Sequence, residues 1–233
     1  MFSRWRAAGN EYLLAERAEL GEPLTAGRVR AEVGGADGIL EVVRVDGEAA
    51  EIVVWNPDGS VAELSGNGTR IAAMWLAERT GAAEVRIRVG PREVVARMLD
   101  DGLVEQELGP FEVQEPERIA GLNVVAVSVG NPHAVVVGDP DDLPLIGPLL
   151  ETHPRFPERT NVQVARVDAP GSVTARVWER GVGETLSSGT SAVAVAAATH
   201  GAGEVAVSFP GGVLHVRLAG GRAWLTGPAE RVD

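Results

Sequence analysis

Two short segments of the sequence have the residue types of a site that binds a carboxylate and moves a proton beside it. They are Glu63-Leu-Ser-Gly-Asn-Gly-Thr and Glu184-Thr-Leu-Ser-Ser-Gly-Thr. Each places a serine, Ser65 or Ser188, directly before a predicted helix. A helix start carries unpaired N–H groups and about half a positive charge, so it binds carboxylates. If both helix starts bound the same carboxylate, the two serines would lie on opposite faces of the carbon next to it.

A simpler interpretation is that both serines are helix N-caps, a role that serine often has. For either segment alone, this interpretation is the stronger one. The same pattern opens a helix in each half of the chain, and this repetition favours a functional site.

Further polar residues lie where predicted strands begin or end. Each one alone is consistent with ordinary turn chemistry, because asparagine favours turns. Together they predict a polar pocket suited to a zwitterion. The residues are Asn10, Asn56, Asn131, Asn161, Glu179 and Arg180, with His133 between two strands.

The sequence pattern predicts mostly strands, with a few helices. Apolar spacing predicts helices over 69–80 and 190–200, each followed by a glycine, and less clearly over 24–33 and 140–151. The segment MLDDGLVEQEL predicts a hairpin with Asp-Gly at its turn. Runs rich in Val and Ile predict strands over 38–45, 50–55, 84–89, 94–99, 104–108, 124–129, 134–137, 162–165, 173–178, 204–209, 213–218 and 223–226.

The order of these elements, many strands and one central helix occurring twice, predicts two similar α+β halves. A break in periodicity over 109–114 places the boundary, giving domains 1–110 and 111–233.

Composition excludes several functions. The 233 residues carry a net charge of −12, all 21 basic residues are arginine, and there is no cysteine. An acidic chain without a basic run argues against nucleic acid and anionic membranes as partners. The absence of lysine and cysteine excludes Schiff-base and thiol chemistry. The four histidines are scattered, so we expect no metal site. Without a long apolar run, we expect a soluble, cytoplasmic protein.

The motifs taken together resemble the diaminopimelate epimerases, whose fold is shared with proline racemases and phenazine isomerases. The resemblance runs nearly end to end, through AAGNEY, GGADGIL, NPDGSVAELSGNGTR, VGNPHAVV, FPERTNVQV, WERGVGETLSSGTS and WLTGPA. It implies two pseudo-symmetric domains, each a barrel-like, mainly antiparallel sheet around a central helix. The active site would lie in the cleft between them, and the last strand, about 222–233, would return to the first domain.

The resemblance also implies a cofactor-independent homodimer that interconverts LL- and meso-diaminopimelate for lysine and peptidoglycan precursor biosynthesis. The distal end of the substrate would be bound by Asn10, Asn56, Asn131, Asn161, Glu179 and Arg180. Its reacting carboxylate would be held by Gly66, Asn67, Gly189 and Thr190, and His133 would support the site.

The sequence departs from the family at the two acid–base positions, where the family uses cysteines and this chain has Ser65 and Ser188. A thiol titrates near 8.5, whereas a hydroxyl is a far weaker acid and needs an adjacent base. The candidate groups near the serines in sequence are Glu63 and Glu184, with Asp58 and His133 further away.

Four hypotheses therefore stay open. The chain is a working epimerase with assisted serines, a binding protein that has lost the chemistry, or a racemase or dehydratase of another amino acid. The fourth is that serine replaces cysteine by design. A serine hydrolase is a poor alternative, because neither serine has the G-x-S-x-G pattern.

Overall fold

The computed structural model describes residues 2–232, which form two compact units. The first unit comprises residues 1–107 and 226–233, and the second comprises 108–225. No helix among the described residues is long and apolar enough to cross a membrane.

The first unit is a mixed, mainly antiparallel sheet around one long helix. Its elements are β1 (Ser3–Ala7), β2 (Asn10–Glu16), α1 (Ala26–Glu32), β3 (Gly38–Asp46), β4 (Ala49–Trp55), β5 (Val61–Ala62), α2 (Gly66–Thr80), β6 (Glu84–Val89), β7 (Arg92–Met98) and β8 (Leu103–Pro110). The pairs β2–β3 and β4–β6 are parallel, and the others are antiparallel. Helix α2 packs against strands β1 to β4, β6 and β7.

The second unit repeats this order. Its elements are β9 (Glu112–Val113), β10 (Glu117–Ile119), β11 (Leu122–Ser128), β12 (Pro132–Val137), α3 (Leu143–Glu151), β13 (Asn161–Ala169), β14 (Ser172–Glu179), β15 (Gly183–Thr185), α4 (Gly189–Thr199), β16 (Gly203–Phe209), β17 (Gly212–Ala219) and β18 (Arg222–Pro228). The pairs β12–β13 and β14–β16 are parallel. Strand β19 (Glu230–Arg231) pairs with β1 in the first unit.

Each central helix is buried because its side chains are small or apolar. Ile71, Ala72, Ala73 and Leu76 of α2 have no exposed surface and form part of the first unit's main core. In α4 every residue from 189 to 197 is buried. A helix that is apolar on all sides has no polar face to expose to water, so strands must surround it. This explains the barrel-like sheet.

The α+β fold class and the element types predicted from the sequence are confirmed. All twelve predicted strands and all four helices are present, with ends that differ by a few residues. Helix α2 starts at Gly66 rather than 69, and residues 140–151 form a 3-10 turn (Pro140–Asp142) before α3. The Asp-Gly hairpin is present, with Asp101 at φ 59° and Gly102 at φ 70°.

The sequence prediction missed seven strands and misplaced His133. Five of these strands, β5, β9, β10, β15 and β19, are only two or three residues long. Strands β1 and β2 were not predicted, although Trp5 and Ala7 alternate with exposed Arg6 as period-2 pairing requires. His133 does not lie between strands but is the second residue of β12. Both errors arose because short polar segments obscured the start of a strand.

Candidate active site

The two serine segments belong to strand–turn–helix units with the same backbone pairing. In the first, Val54 pairs with Ala62 across β4 and β5. In the second, Val177 pairs with Thr185 across β14 and β15. Both partners in the second pair lie 123 positions after those in the first. The serine that precedes each helix is therefore delivered by the same turn geometry in both units.

Ser65 is the N-cap of α2, as the simpler interpretation of the sequence proposed. Its Oγ accepts a hydrogen bond of 3.0 Å from the Gly68 N–H. The Tyr12 hydroxyl lies 3.2 Å from the same oxygen. Ser65 thus has a helix start on one side and a phenol on the other, and capping does not exclude a chemical role.

Arg70 lies fully buried one turn below Ser65. Its guanidinium donates to the Gly66 carbonyl at 3.1 Å, to Asn67 Oδ1 at 2.6 Å and to the Pro228 carbonyl at 3.4 Å. Burial lowers the pKa of Arg70 to about 10, and the negative form of Tyr12 opposes that shift. The side chain is therefore a cation at neutral pH, close to the predicted carboxylate-binding groups.

Ser188 is the N-cap of α4, but its side chain makes no capping hydrogen bond. It is 6% exposed. Two residues later, Thr190 Oγ1 lies 3.5 Å from Asn131 Nδ2, so the structure brings these two predicted binding residues together. The Ser188 hydroxyl thus differs from that of Ser65, which caps its helix.

His133 belongs to a buried hydrogen-bond chain behind the start of α4. Its Nε2 lies 2.9 Å from Asn131 Oδ1 and its Nδ1 lies 3.0 Å from Gln163 Nε2. Gln163 Nε2 also donates to Ser191 Oγ at 2.9 Å. Burial lowers the pKa of His133 to about 3, with the Arg180 charge acting in the same direction. The imidazole is thus neutral and contacts Asn131.

The turn after β14 places Glu179 and Arg180 and is fixed by Asn161. Asn161 Oδ1 accepts from the Arg180 N–H at 2.9 Å, and its Nδ2 donates to the Pro132 carbonyl at 3.0 Å. Glu179 Oε1 accepts from the Thr185 hydroxyl at 2.6 Å. These contacts fix the backbone of the turn and the carboxylate of Glu179, and the Arg180 guanidinium donates to the Glu158 carbonyl at 3.2 Å.

Buried Glu151 holds the same turn from α3. Its carboxylate accepts from the Gly181 N–H at 2.6 Å and from Trp178 Nε1 at 2.8 Å, and it pairs with Arg159. In the first unit, buried Glu41 accepts from Trp55 Nε1 at 3.0 Å. A carboxylate thus fixes the tryptophan that precedes each turn.

The remaining predicted asparagines lie at strand ends of the first unit. Asn10 is buried and is the first residue of β2, opposite Ala7. Asn56 follows β4, and its Nδ2 donates to Ser60 Oγ at 2.9 Å within the turn.

The acidic residues considered as bases for the serines are bound by other groups or are exposed. Both carboxylate oxygens of Glu184 bind the Arg176 guanidinium, at 2.7 and 2.9 Å. Asp58 Oδ1 accepts from the Ser60 N–H and hydroxyl, which lowers the pKa of Asp58. Glu63 is exposed, two positions before Ser65. The hydroxyl that the structure does place beside Ser65 is that of Tyr12.

A pocket of about 320 Å³ opens in the second unit beside the predicted binding residues. Its lining includes Asn131 and His133 on one side and Phe156, Glu158 and Arg159 on the other. Across residues 2–232, no group of three or more His, Asp or Glu side chains is placed to bind a metal ion.

Comparison with known proteins assigns the chain to a family. Residues 125–232 match the family model described as diaminopimelate epimerase. The diaminopimelate epimerase of Synechococcus elongatus is 35% identical over 99% of this chain and 95% of its own length. That of Desulforudis audaxviator is 35% identical over 99% and 96%. The chain belongs to the diaminopimelate epimerase family. It is an isomerase of the epimerase and racemase type.

Solved structures with the family's fold include more distant proteins. A hydroxyproline epimerase from Agrobacterium vitis superposes with a TM-score of 0.75 at 19% identity, covering 100% of this chain and 90% of that one. A phenazine biosynthesis protein from Bacillus anthracis gives 0.74 at 14% identity, covering 100% and 96%. At such identities these structures show a shared fold only.

Sequence reasoning missed four side chains at this family member's helix starts and turns, namely Tyr12, Arg70, Glu151 and Gln163. A signal for Tyr12 was present, because Gly-Asn-x-Tyr at 9–12 repeats as Gly-Asn-x-His at 130–133. The other three carried no such signal. Gln163 and Glu151 meet partners far along the chain, and Arg70 is buried by the surrounding fold although two of its acceptors, Gly66 and Asn67, are on its own helix.

Proposed function

We propose that this protein interconverts LL- and meso-diaminopimelate by removing a proton from Cα on one face and returning one on the opposite face. The names of the relatives that match almost the whole chain support this substrate. The observation that carries the reaction type is the repetition of one strand–turn–helix unit with an N-cap serine in both halves.

In this proposal the reacting carboxylate binds the N–H groups at the starts of α2 and α4. Gly66 and Asn67 supply them from one helix, and Gly189 and Thr190 from the other. The partial positive charge of a helix start stabilises a carboxylate, and more so as negative charge develops on it during proton removal. The buried Arg70 cation adds to this stabilisation at α2.

The distal ammonium and carboxylate of the substrate would bind Glu179 and Arg180, because ionised partners form the stronger hydrogen bonds. Asn10, Asn56 and Asn131 would add amide contacts. Asn161 would act mainly by orienting the Arg180 N–H and the β12 start, since both ends of its amide already bind backbone groups. We further propose a homodimer that works without a cofactor.

Binding without turnover is the second candidate, and the serines favour it. A hydroxyl is a much weaker acid than a thiol. Glu184 binds Arg176 with both carboxylate oxygens instead of serving as a base for the Ser188 hydroxyl. A racemase or dehydratase of another amino acid remains compatible with the same helix starts.

The decisive experiment is proton NMR of LL-diaminopimelate with the purified protein in D₂O. We expect loss of the Cα–H signal and the appearance of meso product. Ser65→Ala should lower the rate at least about 100-fold, the scale of general base catalysis, and Ser65→Cys with Ser188→Cys should raise it. Loss of the signal without inversion would indicate one working serine and a different reaction.

Calorimetry with LL- and meso-diaminopimelate separates the two candidates. Binding without any exchange would support the binding protein. Absence of both binding and exchange would overturn the substrate assignment, and a panel of other amino acids in the same NMR assay would then identify the exchanged one.

A further inference from the structure

Arg70 is a buried cation that has only neutral partners. It is 0% exposed, and its three hydrogen-bond acceptors are two backbone carbonyls and the Asn67 amide. Among residues 2–232, no carboxylate lies within ion-pair distance of its guanidinium. A buried charge without a counter-charge is destabilising, because the lost hydration is not replaced by an ion pair. Such a residue is therefore positioned to favour a negative charge nearby.

Two groups at the start of α2, the helix that carries Arg70, can become negative by losing a proton, and the charge of one of them, Tyr12, acts on Arg70. They are the Ser65 hydroxyl at the cap of α2 and the Tyr12 hydroxyl 3.2 Å from it. Tyr12 is 9% exposed, and its ring lies against the backbone of Gly38, where an added Cβ would be 2.8 Å from Tyr12 Cε1. The phenol is thus held in place next to Ser65 by close packing.

The second unit has no equivalent of this arrangement. The position 123 residues after Arg70 is Val193, and His133, which is neutral, takes the place of Tyr12 in the Gly-Asn-x repeat. The buried cation of α2 thus has no counterpart at the equivalent position of α4.

We propose that Tyr12 is the proton acceptor that lets Ser65 act as a base, and that buried Arg70 stabilises the phenolate form of Tyr12. The inference rests on the proposed function. When the substrate binds, Ser65 Oγ takes the Cα proton while the Ser65 hydroxyl proton passes to the Tyr12 phenolate. The C–H electron pair stays on Cα, Tyr12 becomes neutral, and Ser65 remains a hydroxyl. The reverse transfer returns a proton to Cα.

This assignment accounts for serine at a position where the family has cysteine. A phenol with a pKa near 10 is ionised in about one molecule in a thousand at pH 7, and each unit by which its pKa falls gives a tenfold increase. A serine hydroxyl alone is ionised far less. The phenol therefore supplies basicity that neither Glu184 nor Asp58 is placed to supply.

Other ionisable groups around Tyr12 do not offset Arg70. Asp37 precedes β3 and accepts from the Glu11 N–H at 2.8 Å, and burial raises its pKa. Glu11 is adjacent to Tyr12 on β2, so its side chain points to the other face of the sheet, where two arginines of β1 bind it. Glu63 is exposed. Glu41 of β3 is also buried, but its carboxylate is bound by the Arg17 guanidinium and by Trp55 Nε1.

The first test reads Tyr12 directly, because it is the only tyrosine in the sequence. Near-ultraviolet absorbance of the phenolate is followed during a pH titration, with circular dichroism to check folding. We expect the midpoint in Arg70→Gln to lie at least about one pH unit above that of the parent, and Arg70→Lys to stay near the parent. Equal midpoints in the parent and Arg70→Gln would overturn the inference. If Arg70→Gln does not fold, the exchange assay below decides it.

The second test uses Cα hydrogen exchange of LL-diaminopimelate. In the parent, the exchange rate should rise with pH as the phenol of Tyr12 ionises. Tyr12→Phe should slow exchange at least about 100-fold and abolish this rise. Ser65→Cys in the Tyr12→Phe background should restore exchange, because a thiol near pKa 8.5 needs no partner. A purely structural role of Tyr12 would not allow this rescue.

The outcomes separate this inference from the proposed function. If the parent exchanges and Tyr12→Phe exchanges equally fast with the same pH profile, the inference is wrong and the proposed function stands. If neither protein exchanges, the proposed function fails, and the absorbance titration still decides whether Arg70 acts on Tyr12.

Discussion

His133 and Tyr12 have equivalent positions, each two residues after the asparagine of a Gly-Asn pair, yet their hydrogen bonds differ. Tyr12 contacts the cap serine directly, whereas His133 contacts Asn131 and Gln163. Burial lowers the pKa of both side chains, to about 3 for His133 and to about 10 for Arg70, so at pH 7 His133 is neutral and Arg70 is charged. Single residues thus give the two helix starts different electrostatic properties.

His133 should make stability depend on pH. Its pKa is lowered from 6.5 to about 3 in the folded protein. The unfolded state therefore binds a proton that the folded state does not. The stabilisation is complete above pH 6.5 and is lost as pH falls toward 3. We expect the free energy of unfolding of the parent to fall by about 1.4 kcal/mol per pH unit more than that of His133→Gln between pH 6 and 4.

Urea unfolding of both proteins at several pH values measures this difference. The carboxylates are the same in both proteins, so their contribution to the pH dependence cancels in the comparison. Equal slopes would mean that His133 is protonated or exposed in the folded state.

At the scale of the element, the start of α2 depends on Gly68, which has no side chain. A Cβ on Gly68 would lie 2.9 Å from Leu40 Cδ2 and 3.2 Å from Ser65 Oγ. Leu40 is fully buried and cannot move away easily. The glycine therefore permits both the core contact and the capping bond of Ser65. A glycine in α1, Gly27, has open surroundings and no such role.

Gly68→Ala and Gly27→Ala form a matched pair. We expect Gly68→Ala to destabilise the protein by about 1–3 kcal/mol through overpacking. Gly27→Ala should stabilise it by about 0.5–1 kcal/mol, because alanine favours a helix. Unfolding by urea reports both values. A neutral Gly68→Ala would show that the α2 start accommodates a side chain, contrary to the packing described.

At the scale of the whole molecule, the first unit is assembled from both ends of the chain. Ala229 belongs to its main core, the Pro228 carbonyl accepts from Arg70, and the Val232 N–H donates to the Arg4 carbonyl at 2.9 Å. Strand β19 pairs with β1. The last residues therefore complete the unit that holds Ser65 and Tyr12.

Deleting residues 226–233 should destabilise the first unit more than the second. Hydrogen exchange read by mass spectrometry is expected to show loss of protection in α2 and retention in α4, since the deletion removes core and hydrogen-bond partners of α2 alone. A chain that lacks only residue 233 is the control and should keep protection in both helices. Equal loss in α2 and α4 would contradict the assignment of this segment.

Local patterns in the sequence were sufficient for much of the fold. The Ala-rich and amphipathic runs, the β-branched runs and the Gly stops identified both central helices and twelve strands, because these features depend on neighbouring residues. The repeated serine segment identified both helix starts. The N-terminal strands were not predicted, because they are stabilised by pairing with other segments rather than by a pattern of their own. Examples are the pairs Ser3–Leu14 and Tyr12–Gly38.

The sequence by itself determined which residues stand at the helix starts and strand ends, since capping, turn and strand preferences act over a few positions. Only the tertiary structure decided which of them are engaged. It directs Asn161 to backbone groups, pairs Glu184 with Arg176, and brings Tyr12 to Ser65 from 53 positions away. Such contacts depend on burial and on the register of strands distant in sequence, and a linear pattern contains neither.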